Sequence, residues 1–156
     1  MIRKMFLMLL LSLASAGSAA AQHIALGERI PEFRSATWLD GHEPQQAPLT
    51  WIVFFHSANP ACRTSLERLG PLRALSGELM QAVIVVCEEN ASTESLLRPL
   101  LSDRTAVALD PERKIFAAFG VNYVPYGVLA DARNRALWQG NALRLDNSII
   151  EQHVTR

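Results

Sequence analysis

The sequence predicts an α/β domain with a central mixed β-sheet flanked by helices, and three observations carry that expectation. Two continuous runs of β-branched and aromatic residues, Thr50–Phe55 ("TWIVFF") and Gln81–Cys87 ("QAVIVVC"), read as strands covered on both faces. Each is followed by a segment of helical period, as parallel strands joined by crossover helices require. The chain then closes with a hairpin pattern, "VPYGVLAD" and "ALWQG" around a turn at "ARNR", and a last helix from about Asn147.

Taken in order, Glu32–Gly41 alternates well enough for a strand that closes in an Asp40-Gly41 turn. After the Thr50–Phe55 strand, "NPACR" opens a helix in which Leu66, Leu69, Leu72, Leu75 and Leu79 share one face, with Gly70-Pro71 expected to break or kink it. A short helix follows the second strand, with Ser92 or Thr93 as its cap. Arg104–Asp110 is a third strand-like run, and Pro111–Gly120 has helix form with Asp110 as N-cap, Pro111 at the first position and Gly120 as the stop. The core sheet is then Thr50–Phe55, Ala82–Cys87, Gly127–Asp131 and Ala136–Gln139, with helices beginning near Pro60, Thr93, Pro111 and Asn147.

The chain of 156 residues is 49% apolar and 19% charged, the profile of one folded domain. Its first 21 residues read as a secretory signal: Arg3 and Lys4, an apolar run from Met5 to Leu13, then Ala19-Ala20-Ala21 before a cut at Gln22. That run is far shorter than the ~20 residues that span a bilayer, and no cysteine stands at the cut to carry a lipid. The expected product is a periplasmic or otherwise exported domain of residues 22–156, with no stable membrane span. It keeps 13 Lys+Arg against 15 Asp+Glu, which supplies no basic footprint for nucleic acid. No His/Cys spacing fits zinc or haem, so neither a metal nor a cofactor is expected.

The motifs in sequence order resemble the thioredoxin-like superfamily, and more closely its exported TlpA/ResA-type and redoxin-type branches. "LGERIPEF" (Leu26–Phe33) is similar to the family's G-x-x-x-P-x-F opening. "WIVFFHSANPACR" is similar to its strand and active-site helix, "VALDPERKIFAAFGVNYVP" to the approach to its cis-proline, and "YGVLADARNRALWQG" to its closing hairpin. The resemblance implies that Val124-Pro125 is the cis-proline, facing the helix start and presenting backbone to extended thiol-bearing peptides. Its partners would be an extended thiol-bearing protein, or a small thiol or peroxide.

One departure decides the expected chemistry. Family members that exchange disulfides carry Trp-Cys-x-x-Cys, whereas this chain has Ala58, Asn59, Pro60, Ala61 and Cys62 at the matching positions. Exchange needs a thiolate to attack and a second thiol to resolve, and Asn59 can do neither. The site residues are therefore Cys62, Asn59 and Pro125, with Cys87, His56 and Arg63 as further candidates.

Two functions remain open at this level. In the first, Cys62 is a redox thiol, its pKa lowered by the helix N-terminus, acting alone on a small oxidant or mixed disulfide or with Cys87 as partner. In the second, Asn59 is a helix cap, Cys62 packs inward, and the protein is a binding module that has lost exchange. His56 is placed either as a proton acceptor for Cys62 or as a surface histidine.

Overall fold

The computed structural model describes residues 23–154; residues 1–21, expected to be a signal, lie outside them. Six strands form one sheet: β1 Thr37–Trp38, β2 Leu49–Phe55, β3 Met80–Val86, β4 Thr105–Leu109, β5 Tyr126–Asp131 and β6 Ala136–Asn141, in the order β1-β4-β3-β2-β5-β6. β2, β3 and β4 are mutually parallel, while β1, β5 and β6 each run antiparallel to their neighbour. The helices are α1 Pro60–Ser76, α2 Ala91–Leu97, α3 Lys114–Ala118 and α4 Asn147–Val154. Among the described residues no helix is long and apolar enough to cross a membrane.

Every residue of β2 and β3 is buried, which explains why both read as unbroken apolar runs. Side chains still alternate between the two faces. Trp51, Val53 and Phe55 with Ala82, Ile84 and Val86 pack on Leu69 and Leu72 of α1 and Ile150 of α4. Ile52, Phe54, Val83 and Val85 pack on Ile115, Phe116 and Phe119, at and just beyond α3. Phe54 stands at the centre of that second layer, with ring centroids 5.0 Å from Phe116 and 5.2 Å from Phe119.

Several local expectations are corrected. The Glu32–Gly41 strand shrinks to Thr37–Trp38, because only these two residues pair with β4 before Leu39–Gly41 turns away through left-handed Asp40 and Gly41. Gly70-Pro71 does not end α1, which runs through to Ser76. Both residues lie on the exposed side, where water can satisfy the carbonyl that Pro71 leaves without a donor, while buried Leu69 and Leu72 hold the helix to the sheet.

The leucine stripe also drifts. Steps of three fall short of a full turn, so Leu75 rotates off the buried face to 63% exposure, and Leu79 lies past the helix end. The cap of α2 is Asn90, whose Oδ1 accepts from the Thr93 N–H at 2.9 Å, in place of Ser92 or Thr93.

α3 begins at Lys114, three residues later than expected. Asp110 still anchors its start, accepting from the N–H groups of Ile115 and Phe116 at 2.9 Å each, but residues 111–113 form the turn that brings them there. β3 stops at Val86, so Cys87 is the first residue beyond the strand.

Candidate functional site

The parallel strands β2 and β3 end side by side at Phe55 and Val86, and the loops leaving them build one edge of the molecule. Such carboxyl ends are where ligands gather in sheets of this kind. Asn59 sits at the N-cap of α1, and its side chain works in two directions. Oδ1 accepts from the Ala61 N–H at 2.9 Å, and Nδ2 donates to the Val124 carbonyl at 3.1 Å. The amide therefore ties the helix start to the segment before Pro125. The Val124–Pro125 peptide bond is cis, Pro125 is buried, and its carbonyl accepts from the Ala142 N–H at 3.1 Å.

Cys62 lies in the first turn of α1 and is 0% exposed. Burial pushes its thiol up, a hydrogen bond with the His56 backbone opposes this, and the Glu88 carboxylate adds to the rise. The direction is opposite to the lowered pKa expected at a helix start, and burial of the thiol is its largest cause.

Arg63 gives Cys62 no charge partner, because its Nε donates to the Ser57 carbonyl at 3.0 Å. The His56 ring lies on the outer side of the loop, where Nδ1 accepts from the Ala58 N–H at 3.2 Å and stands 3.8 Å from Glu88.

Both cysteines are free. Strand parity separates them: Cys62 packs among the side chains under α1, while Cys87 continues the series Val83, Val85 on the other face and packs against the layer around α3. A bridge would have to cross the sheet between them.

Glu88 organises the edge and is absent from the sequence reading. It accepts from the Ser57 N–H at 2.6 Å, from the Ser57 hydroxyl and from the Thr93 hydroxyl at 3.3 Å, joining the loop after β2 to the start of α2. Burial works against its charge, but the Ser57 hydroxyl and N–H, His56 and Thr93 together hold it below the ordinary glutamate value. The sequence signal is an acidic residue one place beyond Cys87 at the carboxyl end of a parallel strand.

Glu88→Ala is expected to cost about 1–3 kcal/mol, the usual penalty for stranding buried donors, read as a lower urea midpoint at pH 7. Because its folded pKa lies below the unfolded one, the charge contribution of Glu88 is full above about 4.5. It is lost as pH falls through the folded value, so the gap between wild type and Glu88→Gln narrows in acid.

Comparison with known proteins supports this architecture. No family model matches the chain, and no curated protein matches it. Solved structures do. A thioredoxin-like protein studied in its oxidised form superposes with a TM-score of 0.67 at 16% identity, covering 85% of this chain and 98% of its own. A putative thiol:disulfide interchange protein DsbE from Chlorobium tepidum gives 0.61 at 18% identity over 85% and 96%. A thiol peroxidase from Chromobacterium violaceum gives 0.64 at 14% over 86% and 88%. The fold that these structures share with the chain is thioredoxin-like, a mixed sheet with helices on both faces.

Proposed function

We propose that this chain is an exported thioredoxin-like protein, of the TlpA/ResA or redoxin kind, that docks an extended thiol-bearing protein along its Pro125 edge without exchanging disulfides through Asn59 and Cys62. The observation that carries the reading is the double use of Asn59. The residue at the attacking position is hydrogen-bonded both to its own helix and to the Val124 carbonyl, and the thiol below it is sealed. The names of the structural neighbours, an interchange protein and a thiol peroxidase, support a thiol-redox setting for such a partner. The basic start and apolar run of residues 1–21 support export.

A redox role centred on Cys62 is disfavoured by its burial, its raised pKa and the lack of a resolving thiol on its side of the sheet.

The test pairs turnover with binding. The reduced chain of residues 22–156 is expected not to accelerate reduction of insulin by dithiothreitol. It is expected to bind reduced, fluorescein-labelled insulin B chain saturably in an anisotropy titration, and Pro125→Ala to weaken that binding. Accelerated reduction, or binding indifferent to Pro125, would overturn the reading.

A further inference from the structure

At the end of the sheet opposite Pro125, where β2 begins, β5 ends and α4 finishes, lies a cavity of about 510 Å³. Its apolar lining comes from Leu49 and Leu137, which pack on into the core under α1, and from Leu79 and Val154. The last two stand 41% and 39% exposed, although they belong to the turn before β3 and to the end of α4. Large apolar side chains left in water by separate elements around one hollow mark a binding surface, whereas single ones scattered over a surface do not.

The charge on the rim is a second, independent observation. Arg133 and Arg135, both on the β5–β6 turn, line the same cavity. The turn is fixed: the Asp131 N–H donates to the Arg135 carbonyl at 2.9 Å, and the Asn134 carbonyl accepts from the Ile30 N–H at 2.8 Å. Asp131, the one carboxylate of the lining, is engaged within the turn. Its Oδ1 accepts from the N–H groups of Arg133 and Arg135 at 2.8 Å each, and its Oδ2 from Nε of Arg135 at 3.1 Å. The Arg133 guanidinium and the terminal nitrogens of Arg135 have no partner among the described residues. Two guanidiniums against one carboxylate leave a net positive rim over an apolar hollow.

We propose that this cavity binds the anion of a medium-chain fatty acid, with the carboxylate on Arg133 and Arg135 and the alkyl chain along Leu49, Leu79, Leu137 and Val154. Three features select that class. A guanidinium meets a carboxylate through two parallel N–H bonds, and the charge of the ligand offsets the excess on the turn. The lining holds no Trp, Tyr or Phe, so a nucleobase finds no face to stack on. At about 30 Å³ per heavy atom, the share of liquid volume taken by a water, the space holds on the order of 15 such atoms. That suits octanoate to dodecanoate and leaves a diacyl lipid mostly outside.

This inference goes beyond the docking reading and uses none of its residues, so either can fail alone. The experiment titrates the reduced chain of residues 22–156 with decanoate, below its micelle-forming concentration, by isothermal calorimetry, and maps the contact by amide chemical-shift changes.

Saturable binding of one decanoate is expected, with shifts centred on Leu49, Leu79, Arg133 and Val154. Affinity rises about threefold with each methylene from hexanoate to decanoate, as burial of the added group requires. Decanol, which keeps the chain and lacks the charge, binds about tenfold more weakly than decanoate, and Arg133→Gln weakens decanoate by a similar factor. Circular dichroism and the urea midpoint check that the variant is folded. Uptake that does not saturate, shifts centred on the Pro125 edge, equal affinity for decanol and decanoate, or binding unchanged in Arg133→Gln would overturn the proposal. Binding to phosphatidylglycerol vesicles without binding to decanoate would overturn it too, and would make this face a membrane contact.

Discussion

Asn59→Cys is expected to give the chain a dithiol–disulfide exchange activity that the native sequence does not have. The new thiol stands at the N-cap of a 17-residue helix, on a partly exposed corner, where the helix end favours a thiolate. Cys62 lies three residues on in the same turn, its N–H within 3.1 Å of the Asn59 carbonyl, so a resolving thiol is already in place. The substitution removes the cap bond to Ala61 and the bond to Val124, and the reduced variant should lose about 1–2 kcal/mol of stability. Insulin reduction should rise from background to a clear rate, and the introduced thiol should form a bond with Cys62 that dithiothreitol reduces. A folded variant that neither bridges nor turns over would show that the corner is not arranged as described.

Gly127→Ala is expected to be the most damaging single-methyl change in the sheet. The Trp51 ring lies directly over Gly127: a Cβ there would overlap Cη2 and stand 2.7 Å from Cζ2 and Cζ3. Trp51 is 2% exposed and packs against Trp138 with ring centroids 5.8 Å apart, so it has no free rotamer to move into. Overpacking of a core usually costs about 1–3 kcal/mol, and a contact this short against a rigid ring places the cost at or above the top of that range. The variant should show a markedly lower urea midpoint and altered tryptophan emission. A stability within about 0.5 kcal/mol of wild type, the scatter of ordinary surface changes, would mean that Trp51 does not sit over the glycine.

The α/β architecture was legible because β2 and β3 are apolar along their whole length and the helices between them carry their own caps and periods. The local errors share one cause: sequence signals name a cap or breaker without showing what surrounds it. Pro71 breaks a helix only where its stranded carbonyl cannot reach water, and here it lies on the exposed side. Asp110 caps α3 across an extra turn, which no residue count reveals.

At the site, the replacement of the attacking thiol by Asn59 could be read directly, whereas the sequence left Cys87 open as a partner of Cys62, and it is the packing of the two thiols on opposite faces of the sheet that separates them. The burial of Cys62 and the bridge from Asn59 to Val124 depend on contacts between segments far apart in the chain. Glu88 carries its meaning only through Ser57 and Thr93, which the fold brings to it.

The most direct test of the account is the native alkylation of the reduced chain of residues 22–156 with iodoacetamide, quenched over time and read by intact mass and peptide mapping. The account predicts one modified thiol, Cys87, in the folded protein, with Cys62 reacting only after unfolding in urea. Native labelling of Cys62 at a rate comparable to Cys87, or recovery of the two joined in a disulfide, would contradict it.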